Sequence, residues 1–142
     1  MTAGTLRNRR TVTAEESAER WGNTGLDVLS TPAILGHVEQ LCDAAMKPRI
    51  AEGQMTVGVA ITLHHRAPVR VGRTVEYQVD APGFARRMEF AFRLLDESGQ
   101  TVCSGTHERA VIDVDAFKAR MADRPVGARP ANDVPARMEA SG

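Results

Sequence analysis

Three kinds of side chain in this 142-residue sequence could do acid, base or nucleophilic chemistry: the carboxylate of Glu39, the adjacent imidazoles of His64 and His65, and the hydroxyl of Thr31. A carboxylate partly withdrawn from water can serve as a base or a nucleophile. An imidazole moves protons near neutral pH. A hydroxyl beside the free N–H groups of a helix start can hold a carbonyl oxygen or orient a water. Each also has an ordinary reading: a solvated rim carboxylate, a packed histidine, a helix cap. Which reading applies depends on the elements that carry them.

Glu39 and Thr31 belong to the segment STPAILGHVEQLCDAAMKPRI. Its apolar residues recur at helical spacing. Ile34, Leu35, Val38, Leu41, Cys42, Ala45 and Met46 make one arc. Ser30 or Thr31 can cap the helix, Pro32 suits its first turn, and Pro48 ends it. Glu39 borders the buried arc, with His37 on the other flank. Glu39 follows Thr31 by two turns, roughly 12 Å along the axis. Direct contact between them would need a substrate or a water in between.

The histidines end an alternating run, Met55 to Arg66. Neighbouring residues on a strand point to opposite faces. One face carries Val57, Val59, Ile61, Leu63 and His65, and the other Thr56, Gly58, Ala60, Thr62, His64 and Arg66. The apolar face should cover the helix. His65 is therefore expected to point inward and His64 outward, and Gly58 to reach a site only through its backbone.

Further alternation predicts strands over Thr74–Ala81, Arg86–Asp96 and Thr101–Val114, with a hairpin turn at Glu97–Gln100 and a short helix capped by Asp115. Residues 1–10 read as a flexible segment, Arg10–Ala18 as a short extended edge, and 123–142 as a disordered tail, leaving one domain over 11–122. One helix on a meandering antiparallel sheet is an α+β arrangement, and it matches the hot-dog fold. Open sheet edges and the helix arc call for a homodimer.

Composition narrows the function classes. Eighteen basic residues balance 18 acidic ones, so no field is available to hold a nucleic-acid backbone. Cys42 and Cys103 lie far apart with no CxxC, against a zinc knuckle or a disulfide framework. No apolar run reaches membrane-span length, and MTAGTLRNRR lacks a signal-peptide core. A cytoplasmic protein without nucleic-acid or membrane partners and without a bound metal is expected.

The blocks VLSTPAILGHVEQLCDAA, TVGVAITLHHRAPVRVG and SGTHERAVID together resemble the fluoroacetyl-CoA thioesterase family of hot-dog proteins, from about Thr11 to Ala119. The resemblance implies hydrolysis of an acyl-CoA thioester, with coenzyme A as part of the substrate and no cofactor. It implies Thr31, Glu39 and His65 as catalytic residues. Gly58 is implied as the strand glycine that approaches the thioester, and Arg109 as a substrate-binding residue able to meet a CoA phosphate or support a dimer. The stretch before the helix, WGNTGLDVL, has Trp21 but none of the phenylalanines with which the fluoroacetate-specific member covers its acyl group. That departure points to a broader or different short acyl group. Glu39 as nucleophile and as general base remain equally open. Two other activities fit a hot-dog protein: an acyl-CoA dehydratase or isomerase, and a non-catalytic acyl-CoA-binding module.

Overall fold

In the computed structural model, residues 4–123 are described. The long helix, α1, runs Thr31–Met46. Ser30 is its N-cap, its hydroxyl accepting from the Ala33 N–H, and Pro32 sits in the first turn. Ile34, Val38, Cys42 and Met46 form a stripe one turn apart, each with no exposed surface. A turn of 3-10 helix at Lys47–Arg49 follows.

Five antiparallel strands form one sheet in the order β1-β3-β4-β5-β2: β1 Gly4–Thr11, β2 Gln54–His65, β3 Thr74–Ala81, β4 Arg87–Leu95 and β5 Thr101–Asp113. Val75, Tyr77 and Val79 on β3, with Phe90, Phe92 and Leu94 on β4, turn their buried side chains to the same core as the α1 stripe. A second helix, α2, runs Val114–Asp123. The expected tail lies outside the described residues, apart from Asp123.

Two expectations are corrected. Residues 4–10 are not a loose segment: β1 pairs with β3 along its whole length, from Gly4 opposite Ala81 to Thr11 opposite Thr74. Backbone hydrogen bonds hold this edge strand, so it needs few apolar side chains. Polar cross-strand pairs assist, as Thr5 Oγ1 donates to Asp80 Oδ1 at 2.7 Å. Nor is Arg10–Ala18 wholly an extended edge. After β1 ends, the chain makes 3-10 turns at Ala14–Glu16 and Ala18–Trp21. Thr13 and Glu16 form a capping box there, satisfying the free N–H groups of the first turn.

A third difference concerns facing. β2 pairs with β5 in regular register up to Gly58, opposite Arg109, and again from Ala60, opposite Glu108. Val59 is the extra residue of a β-bulge, which shifts the alternation by one. Before the bulge, Thr56 and Gly58 face the helix. After it, Ile61, Leu63 and His65 do. The predicted inward row therefore holds only from Ile61 onward, and Val59 is 43% exposed.

Candidate active site

The inward-facing residues of β2 and β5 and the rim of α1 meet in two polar groups. The first joins the start of α1 to the end of β2. Thr31 Oγ1 and His65 Nδ1 are 2.9 Å apart. Burial holds the His65 imidazole below its usual pKa, opposed by a backbone hydrogen bond with Ala67. Its Nε2 is buried and has no hydrogen-bond partner among the described residues. If Nδ1 donates to Thr31, Nε2 is a free base; if Nδ1 accepts, Nε2 carries the proton. His64, the neighbour, is exposed on the other face.

The second group surrounds Glu39. Its Oε2 accepts from Arg109 Nη1 at 3.2 Å, and the Glu39 side chain keeps 43% of its surface exposed. Arg109 is only 6% exposed, so its guanidinium lies inside the fold. Its Nε donates to Thr56 Oγ1 and its Nη2 to the Thr56 carbonyl, both at 2.9 Å. Thr56 in turn donates to Asp43 on α1. This commits the guanidinium to the interior rather than to a phosphate outside.

His107, which sequence reasoning passed over, completes the group. It lies two residues before Arg109 on the same face of β5, and alternation along GTHERAV could have found it. Its Nε2 accepts from Arg109 Nη1 at 3.2 Å, since a guanidinium can only donate. That fixes the proton on Nδ1, which donates to the Ala60 carbonyl at 2.9 Å. Burial lowers its pKa; the hydrogen bond to Ala60 opposes this and the neighbouring Arg109 charge adds to it, with a net lowering. The imidazole is thus a neutral, doubly anchored wall.

Gly58 does face this site, contrary to the parity expectation. A Cβ placed there would lie 3.2 Å from both Glu39 Oε2 and His107 Cε1. The missing side chain is what lets the strand pass so close to the carboxylate. Beside it opens a cleft of about 250 Å³ lined by Leu35, Glu39, Gly58, Val59, Ile61 and His107. A second cleft of about 490 Å³, bordered by Asp43, Lys47, Thr56 and Arg109, opens on the other side of Glu39.

Within one chain the structure pairs Thr31 with His65, and Glu39 with Arg109 and Gly58, but gives no contact between the pairs. Cys42 and Cys103 are free and buried, their thiols pushed up to about 12 and about 11 by burial, so neither is a nucleophile. No group of three His, Cys, Asp or Glu side chains among the described residues could hold a metal ion.

The family described as fluoroacetyl-CoA-specific thioesterase matches residues 12–115. The chain belongs to that family. The fluoroacetyl-CoA thioesterase of Streptantibioticus cattleyicolor is 32% identical over 103 residues, covering 71% of this chain and 73% of its own. Among solved structures, the fluoroacetyl-CoA thioesterase FlK superposes with a TM-score of 0.77 at 24% identity, over 88% of this chain and 97% of that one. A hot-dog-like protein from Thermanaerovibrio acidaminovorans gives 0.78 at 25% identity, over 89% and 93%. The fold is the hot-dog fold, with the sheet against one long helix, and the chain is a thioesterase by family.

Proposed function

We propose that this thioesterase hydrolyses the thioester of a short-chain or small substituted acyl-CoA to the free acid and CoA, using Glu39, His65 and Thr31. The observation that carries this reading is the half-exposed Glu39 carboxylate, anchored on buried Arg109 and set against the bare backbone of Gly58 beside a small cleft. Leu35, Val59 and Ile61 give that cleft an apolar side beside the polar Glu39 and His107, which suits it to a small acyl group. The carbonyl carbon would sit between Glu39 and Gly58. Glu39 attacks it to form a mixed anhydride that water then hydrolyses, or takes a proton from the water that attacks it directly. The C–S bond breaks, and His65, held by Thr31, gives a proton to the departing CoA thiolate and regains one from the water consumed. Arg109 and His107 position the carboxylate.

Completion of this site calls for a homodimer. β2 is a 12-residue edge strand with Met55, Val59 and Ile61 exposed. Antiparallel pairing of two β2 edges about a twofold near Ile61 would run His65 of one protomer past Val57 and Gly58 of its partner. The Thr31–His65 pair of one chain then faces Glu39 of the other. We place the enzyme in the cytoplasm with its CoA substrate.

The test is thiol release from a panel of short acyl-CoAs. Glu39→Gln and His65→Ala should each lower kcat by roughly a thousandfold, and the outward-facing His64→Ala should stay within about twofold. Parent-like hydrolysis by the first two would refute the assignment. Co-expressing Glu39→Gln with His65→Ala tests the dimer: a site built across protomers regains activity in the mixed dimer, and a site within one chain does not. In single-turnover hydrolysis in ¹⁸O water, label in the enzyme carboxylate identifies attack by Glu39 followed by water at the Glu39 carbonyl, whereas direct attack by water labels only the product acid.

A further inference from the structure

A second polar cluster lies outside this site, on the opposite flank of α1. Glu16 is only 7% exposed. Its Oε1 accepts from the Thr13 backbone N–H at 2.9 Å and from the Thr13 hydroxyl at 3.1 Å, while its Oε2 meets His37 Nε2 at 2.6 Å. Arg10 approaches the same carboxylate at 3.9 Å, and the Tyr77 ring packs edge-on against His37 with centroids 5.3 Å apart. Burial alone would push the Glu16 carboxyl up. The hydrogen bonds from Thr13 and His37 outweigh it and hold the group below its usual range.

The main chain of the same residue points at the helix start. The Glu16 carbonyl accepts the Ser30 N–H at 2.8 Å. Ser30 is the N-cap of α1 and the residue before Thr31. Next to it, Ser17 bridges Leu29, the Ala18 N–H donates to Val28 at 2.7 Å, and the Leu29 N–H donates to Val69 at 2.7 Å. Val69 stands four residues after His65. Three passes of chain are thus laced together around the Thr31–His65 pair, and Glu16 belongs to the first. Its side chain grips α1 at His37, six residues into the helix, while its backbone grips the residue that caps it.

We propose that Glu16 and His37 are positioning residues that set the Thr31–His65 pair for catalysis, acting through the hydrogen bond from Ser30 to the Glu16 carbonyl. The Glu16–His37 hydrogen bond ties the second turn of α1 to the residue that holds its cap. Without it, the turn that carries Glu16 keeps its backbone ties to Val28, Leu29 and Ser30 but loses its side-chain tie to the second turn of α1, and the cap of α1 loses a fixed reference. The inference rests on Thr31 having the role given above.

The experiment uses the full chain. His37→Leu removes the partner and keeps the volume; His37→Gln keeps an N–H where Nε2 stands. Glu16→Gln is a second route should the leucine variant fold poorly. His37→Leu and Glu16→Gln should lower kcat by roughly tenfold to a hundredfold, the scale for a misplacement of about 1 Å, with KM within about twofold. His37→Gln should recover most of the loss. In a Thr31→Ala background the same substitutions should cost little more, because they act through the residue already removed. Amide hydrogen exchange at Ser30 should accelerate in His37→Leu and not in His37→Gln. Two results overturn the proposal: an unchanged Ser30 exchange rate, or a kcat loss of the same factor with and without Thr31. If Ser30 responds while Thr31→Ala alone hydrolyses at the parent rate, the coupling stands and the catalytic role of Thr31 fails.

Discussion

Gly58→Ala tests the closest approach in the site. The added methyl would meet Glu39 Oε2 and His107 Cε1 at 3.2 Å and Arg109 Nη1 at 3.6 Å. The first two contacts are a few tenths of an ångström too tight. His107 is fixed at both nitrogens and cannot yield. Glu39, with 43% of its side chain exposed, can. It swings away from the strand and stretches a hydrogen bond to Arg109 that already measures 3.2 Å. A charged hydrogen bond contributes about 1.5–3 kcal/mol when buried; solvent reaches this one, so stretching it costs about 1 kcal/mol or less. Replacing glycine in an extended strand restores a similar amount by restricting the unfolded chain, about 0.4–1 kcal/mol. Global stability should therefore change by less than about 1 kcal/mol in urea unfolding. Catalysis has no such offset, because the displaced group is the carboxylate proposed to react. We expect kcat/KM to fall roughly tenfold to a hundredfold, about 1.4–2.7 kcal/mol of activation free energy. In a Glu39→Gln background the methyl should add nothing. Parent-like kcat/KM in Gly58→Ala, with stability intact, would show that Glu39 need not stand where the structure places it.

Other perturbations should separate positioning from stability. Arg109→Met leaves the Thr56 carbonyl and hydroxyl without their donor and should cost about 1–3 kcal/mol for each in chemical unfolding, while Arg109→Lys, which keeps charge but loses the fork, should cost less; equal losses would deny the role of the bidentate grip on Thr56. Stability should fall on acidification in two stages. Burial depresses the folded pKa of His65 and His107, so the unfolded chain binds more protons below about pH 6.5, and their contribution, full above that pH, is lost as pH falls through the folded values. Glu16 adds a lower stage: its contribution is full above its ordinary value of 4.5 and lost as pH falls through its depressed folded pKa. Urea midpoints from pH 8 to pH 2 check both, and His107→Gln should flatten part of the upper stage. Gly36, exposed within α1 and with nothing within 4 Å of a Cβ, should accept alanine with a gain of about 0.5–1 kcal/mol and a Tm higher by about 2–5 °C in a thermal melt.

How far the sequence could be read follows from what each element needs. α1 and strands β2 to β5 bury one face each, so their apolar periods announce them. β1 buries almost nothing: its ladder to β3 is backbone work, and GTLRNRRT carries no alternation to find. The 3-10 turns after it were legible in principle, since Thr13 and Glu16 have capping-box spacing. The bulge at Val59 was not, because an extra residue in a strand leaves the alternation of VGVAITL looking intact. That one residue governs the site. Counting alternation from Val57 gives the correct direction for His65 and the wrong one for Gly58, and no unbroken strand can point both inward, since seven positions separate them and seven is odd. With Val59 set aside by the bulge, six positions count and both residues face α1. Gly58 then stands by Glu39 and His65 by Thr31. The bulge thus places both polar groups on one face of the sheet, and it does so at the middle of the exposed edge where two protomers would join.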